Sequence, residues 1–263
     1  MSQSRQLRTF ALDVPDGYST TQHAHAWGQL VFVVGGVVTV LAGTGAYVAP
    51  TNRAVWIPSG VEHSLLARGP TQLRTIYRPA GLGQGLRVIG VSELLRSLIL
   101  RCIEIGIVEP EDAARDALIT LVDHEIERAT PFEGRVPLPT DPRALAVAHA
   151  LLGESAPERT VEAWADEAGV SVRTLQRLFS RDTGLSFGQW CLHVRMLEAV
   201  RRLSAGEAVG DVALACGYRS ASAFVAAFRR VYGFTPGGLT RGSRDGSRPR
   251  AASSLGTATA EPP

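Results

Sequence analysis

Two groups of side chains in this 263-residue sequence have the types and spacing to do chemistry. The first is His23-Ala-His25, followed by Gln29 and later by His63 at the end of Pro58-Ser-Gly-Val-Glu-His63. Histidines at i and i+2 point to one face of a strand, and the third arrives from a later strand. Neutral imidazoles are good ligands for zinc, nickel or iron, and three can suffice for zinc. Gln29 is a neutral, weaker oxygen donor than a carboxylate in its place. Two readings stay open. Either a divalent metal sits on His23, His25 and His63 beside Gln29, or the same four residues line a metal-free polar pocket for a small effector. No carboxylate stands out near the histidines as an acid or base, so the sequence points to a binding protein and not to an enzyme.

The second group lies within residues 160–240. Arg173, Thr174, Gln176, Arg177 and Arg181 fall on one face of VRTLQRLFSRDT, opposite Val172, Leu175, Leu178 and Phe179. Arginine and glutamine can make bidentate contacts to guanine and adenine edges, which suits a helix laid in the major groove. Ahead of this helix, Thr160 is an N-cap. Val161, Trp164, Ala165 and Ala168 recur at helical spacing, Gly169 supplies a left-handed turn, and Ser171 caps the second helix. The pattern returns over residues 209–236. Val209, Val212, Ala213 and Ala215 fit a scaffold helix, Gly217 and Tyr218 a turn, and Ser220 a cap. Ala223, Phe224, Ala227 and Phe228 face inward. Ala221, Ser222, Val225, Ala226, Arg229 and Arg230 face outward, with Arg219 just ahead of the cap. Between the copies, Ser186 and Gln189 form a capping-box pair and Gly206 marks a stop. They bound a helix of about 18 residues, roughly 27 Å long. Such a rod can hold two recognition helices about one DNA turn apart.

The formal net charge of +2 excludes a polycation, but the charge is uneven. Residues 171–240 hold nine arginines against four acids, whereas residues 141–170 hold two arginines against six. A basic recognition half suits a phosphate backbone. All 27 basic residues are arginine, however, so the motif carries the argument and not the charge. Cys102, Cys191 and Cys216 are an odd number within apolar helical patterns. They read as buried thiols in a reducing compartment, not as disulfides or a zinc site. No uncharged apolar run reaches about 18 residues and no signal-peptide core opens the chain, so a cytoplasmic protein without a membrane partner is expected.

The elements that position the histidines read as β. A first strand covers residues 7–12. GQLVFVVGGVVTVLAG has two β-branched runs around Gly35-Gly36, which predicts a hairpin there. Short strands punctuated by Gly, Pro and Asn continue to residue 78 and predict a small barrel or jelly roll. Trp27, Phe32, Tyr47 and Trp56 are assigned to its core. Helices follow. Ser92 caps ELLRSLILRCIEIG, with Leu94, Leu95, Leu98, Ile99, Cys102 and Ile103 apolar. Pro110 opens a second helix with a stripe of Ala114, Ala117, Leu118, Leu121, Val122 and Ile126. These helices either cover the barrel or join two copies of the chain. Four prolines within residues 131–142 predict a linker.

The tandem pattern, with GLSFGQWCLHVRMLEAVRRL between its copies and GYRSASAFVAAFRRVYGFTP behind, resembles the DNA-binding domain of the AraC/XylS family of bacterial transcription regulators. HAHAWGQL and RAVWIPSGVEH resemble the sensor domains of a subgroup of that family. They are also similar to the two cupin motifs, from which Gln29 departs at the carboxylate position. The resemblance implies an α+β multidomain chain. A cupin-like effector-sensing β-barrel spans 1–82, a helical dimerisation segment 83–131, a linker 132–142 and an all-α double helix-turn-helix domain 143–240; residues 241–263, rich in Gly, Ser, Ala and Pro and without periodicity, read from composition as a disordered tail. It implies a sequence-specific transcription regulator with several partners: double-stranded promoter or operator DNA, a small-molecule effector, a second copy of the chain and, for an activator, RNA polymerase. The alternatives are a cupin enzyme, oxygenase or isomerase, fused to a DNA-binding module, and an architectural DNA-binding protein without effector.

Overall fold

The valine-rich run after Trp27 forms one long strand, β2 (Gly28–Ala42), in place of the hairpin expected at Gly35-Gly36. The computed structural model describes residues 6–79, 85–132, 134–153, 159–233 and 235–237. Register shifts on both sides of Gly35 form a bulge that bends the strand without reversing it. Gly36 has φ +89, and a Cβ there would lie 2.7 Å from the Pro70 carbonyl oxygen and 2.9 Å from Thr71 Cα. Only glycine fits that approach. The reversal comes later, through Gly43-Thr44, into β3 (Gly45–Pro50).

The bend lets β2 serve two neighbours. Its first half pairs with β4 (Arg53–Ile57), its second half with β3, and β5 (Ser64–Arg78) runs beside both halves. Outside these lie β1 (Leu7–Val14) against β5 and β6 (Arg87–Gly90) against β4. The two-residue β7 (Ile107–Val108) and the three-residue β8 (Arg135–Pro137) complete the antiparallel sheet, eight-stranded among the described residues. Side chains alternate across it. Val31, Val33, Val55, Ile57 and Leu73 cluster on one face. Leu30, Phe32, Ala54, Trp56 and Ile76 on the other face pack under α1 (Glu93–Ile105) and α2 (Ala113–Arg128).

Ser92 caps α1 as expected, but α2 starts at Ala113, not at Pro110. Asp112 accepts a hydrogen bond from the Arg115 N–H at 2.8 Å and so supplies the cap that proline cannot. The buried residues are Leu95, Ile99 and Cys102 on α1 and Ile119, Val122 and Ile126 on α2. Leu94 and Leu121, assigned to the inward stripes, are 50% and 45% exposed. Buried Arg78 makes a bidentate pair with Asp123 at 2.9 and 2.5 Å and ties α2 to β5. Within residues 85–131, β6 and β7 extend the sheet while α1 and α2 cover one of its faces.

The last part of the chain holds α3 (Pro142–Gly153), α4 (Val161–Glu167), α5 (Val172–Thr183), α6 (Phe187–Ser204), α7 (Val209–Ala215) and α8 (Ala221–Tyr232). The rod is α6, 18 residues long, with the expected capping box at Ser186 and Gln189. Val37, Ala46, Val48, Val136 and Leu138 of the sheet side share one core with these helices. The stretch expected as a linker, 132–142, is docked over its described residues, 132 and 134–142. It contributes β8, its Pro137 carbonyl accepts from Trp190 Nε1 at 2.7 Å, and Phe132 stacks on Tyr232. The apolar Val136 and Leu138 on either side of Pro137 are buried. Among the described residues no helix is long and apolar enough to cross a membrane. The expected disordered tail, 241–263, lies outside the described residues.

Candidate nucleic-acid and ligand sites

Each recognition helix follows from its cap and its apolar stripe. α5 buries Leu175, Leu178 and Phe179 and leaves Arg173, Gln176 and Arg177 exposed. Thr174 is drawn into the cap: its N–H donates to Ser171 Oγ, and its hydroxyl lies 3.0 Å from the same oxygen. α8 buries Phe224, Phe228 and Tyr232 and exposes Ala221, Ser222, Ala226, Arg229 and Arg230. Ser220 is its cap, accepting from the Ala223 N–H at 3.2 Å. Ala223, expected inward, is exposed, and Val225 is half-buried.

Fewer arginines are available to DNA than the sequence count suggests. Arg181 donates to Asp182 at 2.6 Å. Arg201 and Arg202 are both held by Glu198, a buried carboxylate. Burial opposes the charge on Glu198, but hydrogen bonds from Arg201 and Arg202 outweigh it and hold the carboxyl below the usual range. Among the described residues, Arg173, Arg177, Arg219, Arg229 and Arg230 have no ion-pair partner, so their charge is open to phosphate.

The three histidines converge, though not from one strand. His23 and His63 form a single antiparallel bridge with both N–H···O distances 2.9 Å, and His25 sits in the loop before β2. Ring centroids are 4.5 Å (His23–His63), 5.0 Å (His25–His63) and 6.0 Å (His23–His25) apart. Each Nδ1 faces a backbone carbonyl: Thr21 at 2.9 Å, Trp27 at 2.5 Å and Val61 at 2.8 Å. A carbonyl only accepts, so each Nδ1 carries the proton and each Nε2 of a neutral ring keeps its lone pair. Burial lowers the His63 imidazole to about 4, which leaves it neutral near pH 7. Ligand nitrogens of all three lie within 4.8 Å of one another.

Gln29 is buried beside them, with Oε1 2.9 Å from His25 Nε2 and 3.1 Å from His63 Nε2. Acceptors then face acceptors. Two arrangements resolve the conflict. A cation can sit among them, or the Gln29 amide can turn so that its NH₂ donates to both rings while its oxygen accepts from the Tyr77 hydroxyl, 3.1 Å away. Imidazoles whose far N–H is fixed on a carbonyl are the usual form of metal-binding histidine, so the donor set fits a divalent metal of the zinc type.

Sequence reasoning missed two neighbours. Arg8, Tyr77, Gln29 and Ile57 form one row across β1, β5, β2 and β4. Alternation places Tyr77 on the same face as Leu73, but nothing local says which strands pair. Burial pushes the Tyr77 hydroxyl up to about 12. Phe32 and Trp56 are core residues as expected, while Trp27 and Tyr47 are half-buried.

Residues 12–99 match the family model of the AraC-like ligand binding domain, and residues 164–242 match that of a helix-turn-helix domain. The chain is 28% identical to the HTH-type transcriptional regulator NimR of Escherichia coli K12 over 225 residues, which cover 84% of this chain and 82% of NimR. It is 39% identical over 114 residues to the HTH-type transcriptional regulator RipA of Corynebacterium glutamicum, covering 42% of this chain and 34% of RipA. The match to the HTH-type transcriptional activator RhaS of Escherichia coli is 35% over 86 residues, covering 32% of this chain and 31% of RhaS. The chain thus spans about a third of the length of the latter two relatives.

Proposed function

The chain belongs to the AraC/XylS family of DNA-binding transcription regulators, with an N-terminal ligand-binding domain and a C-terminal helix-turn-helix domain, and from that premise we propose that it reads operator DNA chiefly through α5 under the control of a metal-centred ligand site in the sensor. Arg173, Gln176 and Arg177 take base edges. Arg219, Ser222, Arg229 and Arg230 grip phosphates of the neighbouring groove. Their exposure and lack of ion-pair partners support both roles.

In the sensor, His23, His25 and His63 would hold a divalent metal with Gln29 beside it. The metal would supply a positive centre for an effector oxygen. The carrying observation is that all three Nδ1 atoms are fixed on carbonyls, which leaves three Nε2 lone pairs converging. A second reading, favoured by the hydrogen-bond fit of a turned Gln29 amide, is a metal-free effector pocket. Metal content of the full chain purified without chelators separates the two. His25→Ala and His63→Ala should each lose a stoichiometric metal while the protein stays folded, and footprinting on its own upstream DNA should change with the metal. A metal-free wild type whose histidine variants alter only the effector response selects the pocket.

Exposed Leu94 and Leu121 support a homodimer through the outer face of α1 and α2. Sedimentation of Leu94→Glu/Leu121→Glu should give a monomer where the wild type is a dimer; a dimeric double variant moves the interface elsewhere. RNA polymerase is a further partner if the protein activates. A cytoplasmic location agrees with three free cysteines whose thiols burial raises to about 11. No catalytic step is assigned to the histidine cluster.

A further inference from the structure

We propose that the sensor's ligand is a small carboxylate, its anionic group held by Arg8 and its far end turned to the histidine cluster; this rests on reading that cluster as a ligand site. Arg8 is the cross-strand partner of Tyr77, which is in turn the partner of Gln29. The three alternate onto the sheet face that carries Val31, Val33, Ile57 and Leu73. Arg8 Nε is buried and has no hydrogen-bond partner. Among the described residues no carboxylate pairs with the Arg8 guanidinium, whereas Arg74 is paired with Asp13 and Arg78 with Asp123. A half-buried guanidinium whose Nε has lost water without gaining a partner is costly, and a carboxylate from solution would relieve it.

The surroundings prepare Arg8 for that role. Its Cζ lies 4.9 Å over the Trp27 ring. The ring face attracts the cation without using its N–H groups, which remain able to meet a carboxylate. The Trp27 carbonyl is also the acceptor that orients His25, so one residue places both ends of the site. Tyr77 stands on the neighbouring strand, directly across from Arg8, and its hydroxyl can donate to the same anion. Arg8, Trp27, Tyr77 and His23 are all half-buried, which leaves the row reachable from solvent.

The test uses full-length protein loaded with Co²⁺ and titrated with oxalate, malonate and succinate, with neutral malonamide as control. At least one dicarboxylate should shift the visible cobalt bands and bind about 10-fold or more tighter than malonamide. Arg8→Gln should weaken that binding about 10- to 100-fold while the cobalt spectrum without ligand stays unchanged. Arg8→Lys, which keeps the charge but not the fork, should retain part of it. If no dicarboxylate outperforms malonamide, or Arg8→Gln binds like the wild type, the proposal falls. If the protein takes up no cobalt, the metal reading falls, and thermal shifts of the metal-free protein decide the anion site alone. Stabilisation by a dicarboxylate that is lost in Arg8→Gln upholds it, and equal stabilisation by malonamide overturns it. Should Arg8→Gln fail to fold, the wild-type contrast between dicarboxylate and diamide decides whether the anion site stands.

Discussion

In the first helix-turn-helix unit, α5 turns Arg173, Gln176 and Arg177 to solvent; in the second, α8 turns Ala221, Ser222 and Ala226, with Arg229 and Arg230 near its end. The backbones match closely. Both helices are capped by serine and both end in a left-handed glycine, Gly184 at φ 73 and Gly233 at φ 78. The scaffold helices differ, because Thr160 caps α4 with its side chain while Ala208 offers α7 none. The attachments differ too. α5 is tied by Asp182, which accepts from the Thr140 and Asp141 N–H groups. α8 is tied by rings: Tyr232 stacks on Phe132, which itself lies under the Arg53 guanidinium of the sensor. A shared backbone sets where each helix is presented, while its outer side chains decide whether it reads bases or only holds phosphate. The unit poorer in groups able to read bases is the one whose last ring stacks on Phe132, beside Arg53.

Removing one core ring from each unit should have the largest effect. Phe179→Ala and Phe228→Ala, both fully buried, should each cost about 3–5 kcal/mol in urea unfolding. A clearly smaller loss at Phe228 would mean that the second core closes up more readily than the first. DNA binding comes next. Arg177→Ala or Gln176→Ala should cost about 1–3 kcal/mol and relax one or two base pairs of the first half-site. Arg230→Ala should weaken binding to every sequence and lower the salt slope by about one. Site selection at two salt concentrations measures both, and a second half-site as sharply specified as the first would end the distinction drawn here.

The caps offer a smaller and more symmetrical test. Thr160→Ala should destabilise by about 1 kcal/mol, and Ala208→Ser should stabilise by up to a similar amount. Opposite signs are expected in thermal melts; no gain at Ala208 would show that α7 meets its N-terminal needs another way. The acid response is the smallest effect. Hydrogen bonding and pairing with Arg181 hold the Asp182 carboxyl well below the usual carboxylate range. Its contribution is therefore present above the unfolded value of about 3.9 and is lost as pH falls below that, through the folded value. Asp182→Asn should flatten stability against pH in that acid window, whereas an unaltered profile would mean that the contact to the chain before α3 does not stabilise the protein.

The sequence by itself determined what local chemistry decides. Ser171, Ser186 and Ser220 cap where their spacing to the next apolar residues says they must, and Gly169 and Gly217 turn where a left-handed residue is needed. The length of α6 and the solvent face of α5 follow from the same three- and four-residue intervals. The histidine motifs announced their own convergence. Tertiary structure alone decided the rest, because the deciding partner is distant in the chain. Gly35-Gly36 became a bulge because the Pro70–Thr71 backbone lies against Gly36. The described residues of Pro-rich 132–142 became docked chain because Trp190 and Tyr232 receive them. Leu94 and Leu121 turned outward because burial of Leu95 and Ile119 set the rotation of their helices. Arg8 and Tyr77 joined Gln29 through the pairing of three strands, and strand register depends on which surfaces can be buried together, a quantity no short stretch of sequence contains.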